Sequence, residues 1–227
     1  EVTEVDRAAE ALVGERLAAA RPHHGLFGEE HGLVGDVGSP WRWVVDPIDG
    51  TSGFVRGIPV WATLLALTHT DHGLVAAVVS APALGRRWWA GQGLGTFVGG
   101  RGATSGARCR VSSVDRLDEA QVSVTFADGW ERLGLTDALA DLVRQARRPR
   151  GFGDFWQHTL VAEGALDLAV DAVGVSSYDL AAVRLVVEEA GGTFTDRHGV
   201  VTHEHDTAIS SNGLLHHHAV DRLGGTP

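Results

Sequence analysis

The chain has 227 residues, which is enough for one large domain or two packed halves with a substantial core. Hydrophobic residues make up 44% and charged residues 21%, as in a globular protein rather than a disordered one. The net charge of −10 argues against nucleic-acid or membrane binding through a basic surface. Cys109 is the only cysteine, so an internal disulfide is excluded and we expect a cytoplasmic protein.

The first half of the chain is predicted to be one helix followed by antiparallel strands. Residues 3–6 (TEVD) have the pattern of a capping box, and apolar residues at helical spacing extend the predicted helix over about 4–20. A strand is predicted at 42–46, followed by a helix-like turn over 51–56. Further strands are predicted at 60–68, 74–81, 86–90 and 95–98, before a Gly-rich surface loop at 99–106.

The second half alternates strands with helices. Predicted strands lie at 122–126, 166–170 and 207–210, and predicted helices at 133–148, 154–163, 179–190 and 214–223. The change in pattern near residue 112 predicts two halves, 1–112 and 113–227. An antiparallel half joined to an alternating half indicates a layered α/β or α+β fold.

The most informative segment is the turn from Asp46 to Thr51, with the sequence DPIDGT. Asp46 and Asp49 follow a short apolar strand, and two carboxylates this close repel each other unless a proton or a cation lies between them. Oxygen ligands on a tight turn suit a hard cation such as Mg²⁺, and the N–H groups of Gly50 and Thr51 could bind a phosphate where a helix begins. Taken alone, the segment is equally well explained as an ordinary strand-ending turn.

Other acidic residues stand at the ends of predicted elements: Asp6, Glu29 next to Glu30, and Asp179. Taken singly, an acid in the first turn of a helix is commonly a cap, and a pair of glutamates is commonly a solvated loop. The histidines at 203, 205 and 216–218 do not have the spacing of a metal site, and we predict that they lie at a solvated end of the protein.

Three motifs in this order, GEE at 28–30, DPIDGT at 46–51 and YDLAA at 178–182, resemble the inositol monophosphatase-like superfamily of metal-dependent phosphatases. The resemblance spans essentially the whole chain. Longer segments resemble the histidinol-phosphatase branch of that superfamily: GFVRGIPVW at 53–61, SAPA at 80–83, RRWW at 86–89 and GDFW at 153–156. The resemblance implies the layered αβαβα sandwich of the inositol monophosphatase and fructose-1,6-bisphosphatase type, and a homodimer. In this family a helix and a mobile metal-binding loop precede the equivalent of Asp6, so we expect a segment upstream of Glu1.

The resemblance also implies a role for each matched residue. Glu29, Asp46 and the carbonyl of Ile48 would hold a first Mg²⁺, and Asp46, Asp49 and Asp179 would hold a second. Glu29 would share a third ion. Thr51, paired with Asp6, would orient and deprotonate the attacking water, and the N–H groups of Gly50 and Thr51 would bind the phosphate.

The sequence departs from the family pattern where the substrate would be recognised. Ser52-Gly53 stands where histidinol phosphatases usually have Lys-Asn, and Tyr178 stands in place of a Trp. Ala172 replaces a substrate-contacting Glu. Asp171 is adjacent, but a shift of one residue along a strand turns the side chain to the other face. Our candidate substrate contacts are Ser52, Asp154, His158 and Asp171.

The resemblance therefore predicts a Mg²⁺-dependent phosphomonoesterase that converts L-histidinol phosphate to L-histidinol and phosphate, a reaction of histidine biosynthesis. Two alternatives within the class are a 3′(2′),5′-bisphosphate nucleotidase and an inositol-1-monophosphatase. An alternative of another class is a catalytically silent relative that binds phosphate ligands.

Overall fold

The computed structural model describes residues 3–100, 102–103 and 105–224 and contains two β-sheets. The larger sheet has the strand order β2-β1-β3-β4-β5-β6-β7-β8 and the smaller one the order β10-β9-β11-β13-β12. The strands of the larger sheet are β1 (Gly25–Gly28), β2 (Gly32–Gly35), β3 (Trp41–Asp49), β4 (Ala62–His69), β5 (Gly73–Ala81), β6 (Arg86–Gly91), β7 (Gly95–Gly100) and β8 (Ala107–Arg108). Those of the smaller sheet are β9 (Gln121–Val124), β10 (Arg148–Arg150), β11 (Leu168–Val170), β12 (Thr193–Thr195) and β13 (Ile209–Ser211).

Helices cover the outer face of each sheet and fill the space between them. The helices are α1 (Glu4–Ala20), α2 (Thr51–Val55), α3 (Asp128–Arg132), α4 (Thr136–Gln145), α5 (Asp154–Ala162), α6 (Ser177–Glu189) and α7 (His216–Leu223), with a 3₁₀ turn at Leu117–Glu119. None of the helices in the described part of the chain is both long enough and apolar enough to cross a membrane.

The order of the layers follows from side chains that alternate along the strands. On β1, Leu26 packs toward α1, whereas the ring of Phe27 lies 6.2 Å from the ring of Tyr178 on α6. On β11, Ala169 belongs to the core around α5 and α6, and Leu168 and Val170 belong to the core formed with α4 and α7. The five layers are thus α1, the larger sheet, α5 with α6, the smaller sheet, and α4 with α7. The predicted αβαβα sandwich is confirmed.

The helix predicted at 133–148 is present, but it is shorter than predicted, because α4 covers only Thr136–Gln145. A short helix that was not predicted, α3, precedes it, and the two are separated by Gly134 in the left-handed backbone region (φ 69°), where a glycine ends a helix at little cost. The chain then becomes extended, and β10 pairs in parallel with β9. The change from the larger to the smaller sheet falls between Arg108 and Gln121, and the division into halves near residue 112 stays a prediction.

The position of the site is set by the way β3 ends. The register between β3 and β4 shifts between Asp46 and Asp49, because Pro47 cannot donate a ladder hydrogen bond. Gly50 then takes a left-handed conformation (φ 85°), and α2 begins at Thr51. The first turns of α5 and α6 meet this bend, so three helix beginnings face one region of the molecule.

Candidate active site

Three carboxylates converge where β3 ends. Asp46, Asp49 and Asp179 each offer an oxygen within 4.8 Å of the oxygens offered by the other two. Asp46 and Asp49 come from the irregular end of β3, and Asp179 lies in the first turn of α6. Asp46 is 1% exposed and Asp49 is 8% exposed, so these acids are largely removed from water.

Backbone hydrogen bonds orient two of these carboxylates. Asp49 accepts a hydrogen bond from the N–H of Phe155 (2.6 Å), at the start of α5. Asp179 accepts one from the N–H of Ser176 (2.7 Å) as part of a capping box. Asp46 Oδ1 is buried and has no hydrogen-bond partner among the described residues. A buried carboxylate oxygen without a hydrogen-bond partner is costly, so Asp46 Oδ1 is a candidate ligand for a cation.

The pKa values of the clustered carboxylates also favour a cation at this site. Burial, and then the charge of Asp49, holds the pKa of Asp46 well above its ordinary value. Burial and the neighbouring Asp154 do the same for the pKa of Asp49. The pKa of Glu29 rises to about 7, because the side chain is buried and because Asp179 is near. Carboxylates packed this closely fit a hard divalent cation, whose charge would take the place of the protons that the raised pKa values retain.

Glu29 reaches the cluster from the larger sheet. It follows β1 directly, and its N–H donates to the carbonyl of Val45 on β3 (3.2 Å). Its side chain lines the same cleft as Asp49 and Asp179. Glu29 and Asp179, which are about 150 residues apart in the sequence, thus lie at one site.

Thr51 and Asp6 are adjacent, as the resemblance implied. Thr51 Oγ1 lies 3.3 Å from Asp6 Oδ1 and 2.8 Å from the carbonyl oxygen of Ile48. The other oxygen of Asp6 accepts from the N–H of Thr3 (2.8 Å), which completes the capping box of α1. Since Asp6 is 1% exposed, helix capping and contact with Thr51 are combined in one buried carboxylate.

A cleft of about 350 Å³ opens beside the carboxylates. One wall is formed by residues 49–53 with Glu29 and Asp179, and another by residues 171–175 after β11. All four candidate substrate contacts line this cleft: Ser52, Asp154, His158 and Asp171.

Two of these contacts form a buried pair. His158 Nε2 lies 2.9 Å from Asp171 Oδ2, and His158 Nδ1 lies 2.8 Å from the hydroxyl of Ser210. Both ring nitrogens of His158 therefore have protein partners. Asp154 has a positive φ of 48°, and burial followed by the charge of Asp171 raises its pKa to about 6.

Sequence reasoning missed some residues of this region. Thr125 and Val173 line the cleft, and nothing in their local pattern marks them. Glu10 lies one helical turn after Asp6 and is only 2% exposed. The only sequence signal for its burial was the spacing of two acids on one face of the helix.

The expectation that the C-terminal histidines are solvated is wrong for His216. This ring is hydrogen-bonded to the hydroxyls of Thr195 (2.8 Å) and Ser211 (3.0 Å). Burial lowers its pKa to about 4, so His216 serves as a neutral packing residue.

The raised pKa of Glu29 predicts how the metal-free protein responds to pH. In the unfolded chain Glu29 titrates near 4.5, and in the folded protein near 7. Between these values unfolding releases a proton, so stability falls as pH rises through this window. We expect the Tm in EDTA to fall from pH 5 to pH 8 more steeply for the wild type than for E29Q, as measured by thermal unfolding. Added Mg²⁺ should reduce the fall. Parallel profiles for the two proteins would contradict the assignment.

The chain is similar to known proteins over nearly its whole length. A model of the inositol monophosphatase family matches residues 1–223. A histidinol-phosphatase of Streptomyces coelicolor is 47% identical, over 95% of this chain and 80% of that protein. One of Mycobacterium tuberculosis is also 47% identical, over 98% of this chain and 84% of that protein. An inositol-1-monophosphatase of Caulobacter vibrioides is 33% identical, over 98% and 86% respectively.

Solved structures show the same architecture. The extragenic suppressor protein suhB of Bartonella henselae superposes with a TM-score of 0.87 at 29% identity, covering 100% of this chain and 87% of that one. An IMPase of Thermotoga maritima superposes with a TM-score of 0.83 at 30% identity, covering 98% and 82% respectively. The converging carboxylates, the layered fold and these matches lead to one conclusion: the chain belongs to the inositol monophosphatase family.

Proposed function

We propose that this phosphatase is Mg²⁺-dependent and hydrolyses L-histidinol phosphate to L-histidinol and phosphate. The observation that carries the metal dependence is the buried cluster of Asp46, Asp49 and Asp179, with Asp46 Oδ1 left without a partner. The substrate is supported by the two relatives at 47% identity, both of which are histidinol-phosphatases.

The proposed metal ligands divide between neighbouring ions. Glu29, Asp46 and the carbonyl of Ile48 would hold one ion, and Asp46, Asp49 and Asp179 a second, with a third near Glu29. Bound ions would supply positive charge for the phosphate and lower the pKa of the attacking water. The remaining work of the protein is to position groups and to move protons.

Thr51 and Asp6 would handle the proton of the attacking water. The Thr51 hydroxyl would accept a proton from the water as its own proton passes to Asp6 Oδ1, 3.3 Å away in this structure. The N–H groups of Gly50 and Thr51 stand at the beginning of α2, where backbone N–H groups have no partner within the helix. We propose that they bind the phosphate oxygens.

The leaving alcohol would be recognised across the cleft. Histidinol carries an ammonium group, and Asp154 offers a carboxylate on the cleft wall that is largely ionised at neutral pH, because its pKa is about 6. The ammonium group would be attracted to this carboxylate. Inositol has no charge and an adenosine bisphosphate adds negative charge, so neither would be attracted to Asp154. The family resemblance further suggests a homodimer in the cytoplasm.

A phosphate-release assay tests the substrate. With Mg²⁺, we expect kcat/KM to be about 10- to 100-fold higher for histidinol phosphate than for inositol 1-phosphate or adenosine 3′,5′-bisphosphate, since a charge-assisted hydrogen bond contributes about 1.5–3 kcal/mol. D154N should lower the value for histidinol phosphate and leave that for inositol 1-phosphate nearly unchanged. A preference for inositol 1-phosphate would instead support the function of the Caulobacter relative. Absence of release from all three would favour a silent relative.

A further inference from the structure

Glu10 is a buried acid that contacts the turn carrying Glu29. It lies on α1 four residues after Asp6, and its side chain is 2% exposed. Its Oε2 accepts a hydrogen bond from the N–H of Glu30 (2.9 Å), and its Oε1 accepts one from the N–H of His31 (2.9 Å). Nδ1 of His31 lies 2.8 Å from the same Oε1. Both carboxylate oxygens are therefore used to hold one short segment of backbone.

The close approach of Glu10 is built into the strand before this turn. A Cβ added at Gly28 would overlap the Glu10 carboxylate, so glycine provides the space in which that carboxylate lies. On its other side the turn is held by the hydrogen bond from the N–H of Glu29 to the carbonyl of Val45. Glu29 is thus held between α1 and β3.

The same face of α1 contacts two parts of the active site. Residues four apart on a helix lie one above the other, so Asp6 and Glu10 point the same way. Asp6 contacts Thr51, and Glu10 contacts the segment that follows Glu29. The helix therefore holds the water-orienting pair and a proposed metal ligand in a fixed relation.

We propose that Glu10 is a positioning residue that fixes the Glu29–His31 turn, so that Glu29 is preorganised for the metal. The proposal rests on the proposed function, because it takes Glu29 as a ligand. Glu10 itself would touch neither metal nor substrate. Loss of an outer residue that orients a ligand commonly lowers metal affinity or activity about 10- to 100-fold.

E10Q tests the proposal with almost no change in size. A glutamine keeps one acceptor oxygen but places an NH₂ group against the second N–H donor, so one of the two backbone bonds is lost. In the metal-free protein we expect hydrogen exchange at the amides of Glu30 and His31 to be about fivefold faster than in the wild type. Mg²⁺ affinity, measured by titration calorimetry, should fall about 10-fold. E15Q is the matched control, because Glu15 is an exposed acid on the same helix, and both measurements should stay unchanged.

Gly28→Ala provides a second variant that keeps the Glu10 charge. Its added methyl group should displace the Glu10 carboxylate and reproduce both effects of E10Q. Because both changes act on the same contact, the double variant should be little worse than either single one. This comparison keeps the test decisive even if one variant folds poorly.

The outcomes separate this proposal from the proposed function. Exchange and Mg²⁺ affinity within twofold of the wild type in E10Q would overturn the positioning role, as would a lower Tm with unchanged affinity, which indicates a structural role alone. If the wild type neither binds Mg²⁺ nor releases phosphate, faster exchange in E10Q would still confirm that Glu10 holds the turn. That result would reject the proposed function and, with it, the role of Glu10 toward a metal.

Discussion

Replacing Asp49 by Asn is expected to abolish turnover while leaving the metal-free protein at least as stable as the wild type. Asp49 would be a ligand whose charge neutralises a bound ion, and we expect kcat/KM to fall about 1,000-fold, which corresponds to about 4 kcal/mol of transition-state stabilisation. The asparagine oxygen can still accept the hydrogen bond from the N–H of Phe155. Burial and Asp154 raise the pKa of Asp49, so removing this charge also removes repulsion from the metal-free cluster.

The combination of lost activity and retained stability distinguishes this role from a structural one. Phosphate release and thermal unfolding in EDTA should be measured on the same preparations. D71N is a suitable control, since Asp71 is an exposed acid in the turn between β4 and β5, and both measurements should match the wild type. Activity close to the wild-type level in D49N would remove Asp49 from the proposed metal site.

The second large effect is expected at Thr51. Thr51→Val keeps the shape of the side chain but removes the hydroxyl that lies between Asp6 and the carbonyl of Ile48. We expect kcat to fall about 100- to 10,000-fold, the range associated with positioned proton transfer, with little change in Mg²⁺ affinity. Thr51→Ser, which restores the hydroxyl, should recover most of the rate.

Steady-state kinetics at saturating Mg²⁺ and a calorimetric Mg²⁺ titration separate the two contributions at Thr51. If T51V and T51S lose activity equally, the hydroxyl does not take part in the reaction. If T51V binds Mg²⁺ much more weakly, Thr51 acts mainly by holding the Ile48 carbonyl in place.

Local chemistry made part of the site predictable. The capping box at Thr3 and Asp6 and the bend after Asp46 depend on neighbouring residues, and the structure has both where the sequence predicted them. The meeting of Asp179 with Asp46 depends on the packing of α6 between two sheets. No spacing rule connects residues so far apart, and only the family resemblance pointed to that meeting. The roles of these residues stay predictions.

The errors also have physical causes. The apolar pattern over 133–148 is helical for most of its length, but Gly134 delays the start of the helix and the pairing of β10 with β9 removes its end. Pairing between distant strands overrides local propensity. Glu10 resembled any charged residue on a surface helix, because its burial depends on the turn at 29–31 rather than on its own neighbours.

The two walls of the cleft belong to different parts of the architecture. The proposed chemical groups lie on the ends of β1 and β3 and the start of α6, whereas residues 171–175 follow β11 of the smaller sheet. Residues 171–175 lead directly into α6, whose first turn carries Asp179, and the charge of Asp171 raises the pKa of Asp154, so a mutation in that second wall also acts on the carboxylates. Substrate specificity and the geometry of the carboxylates would therefore change together during evolution.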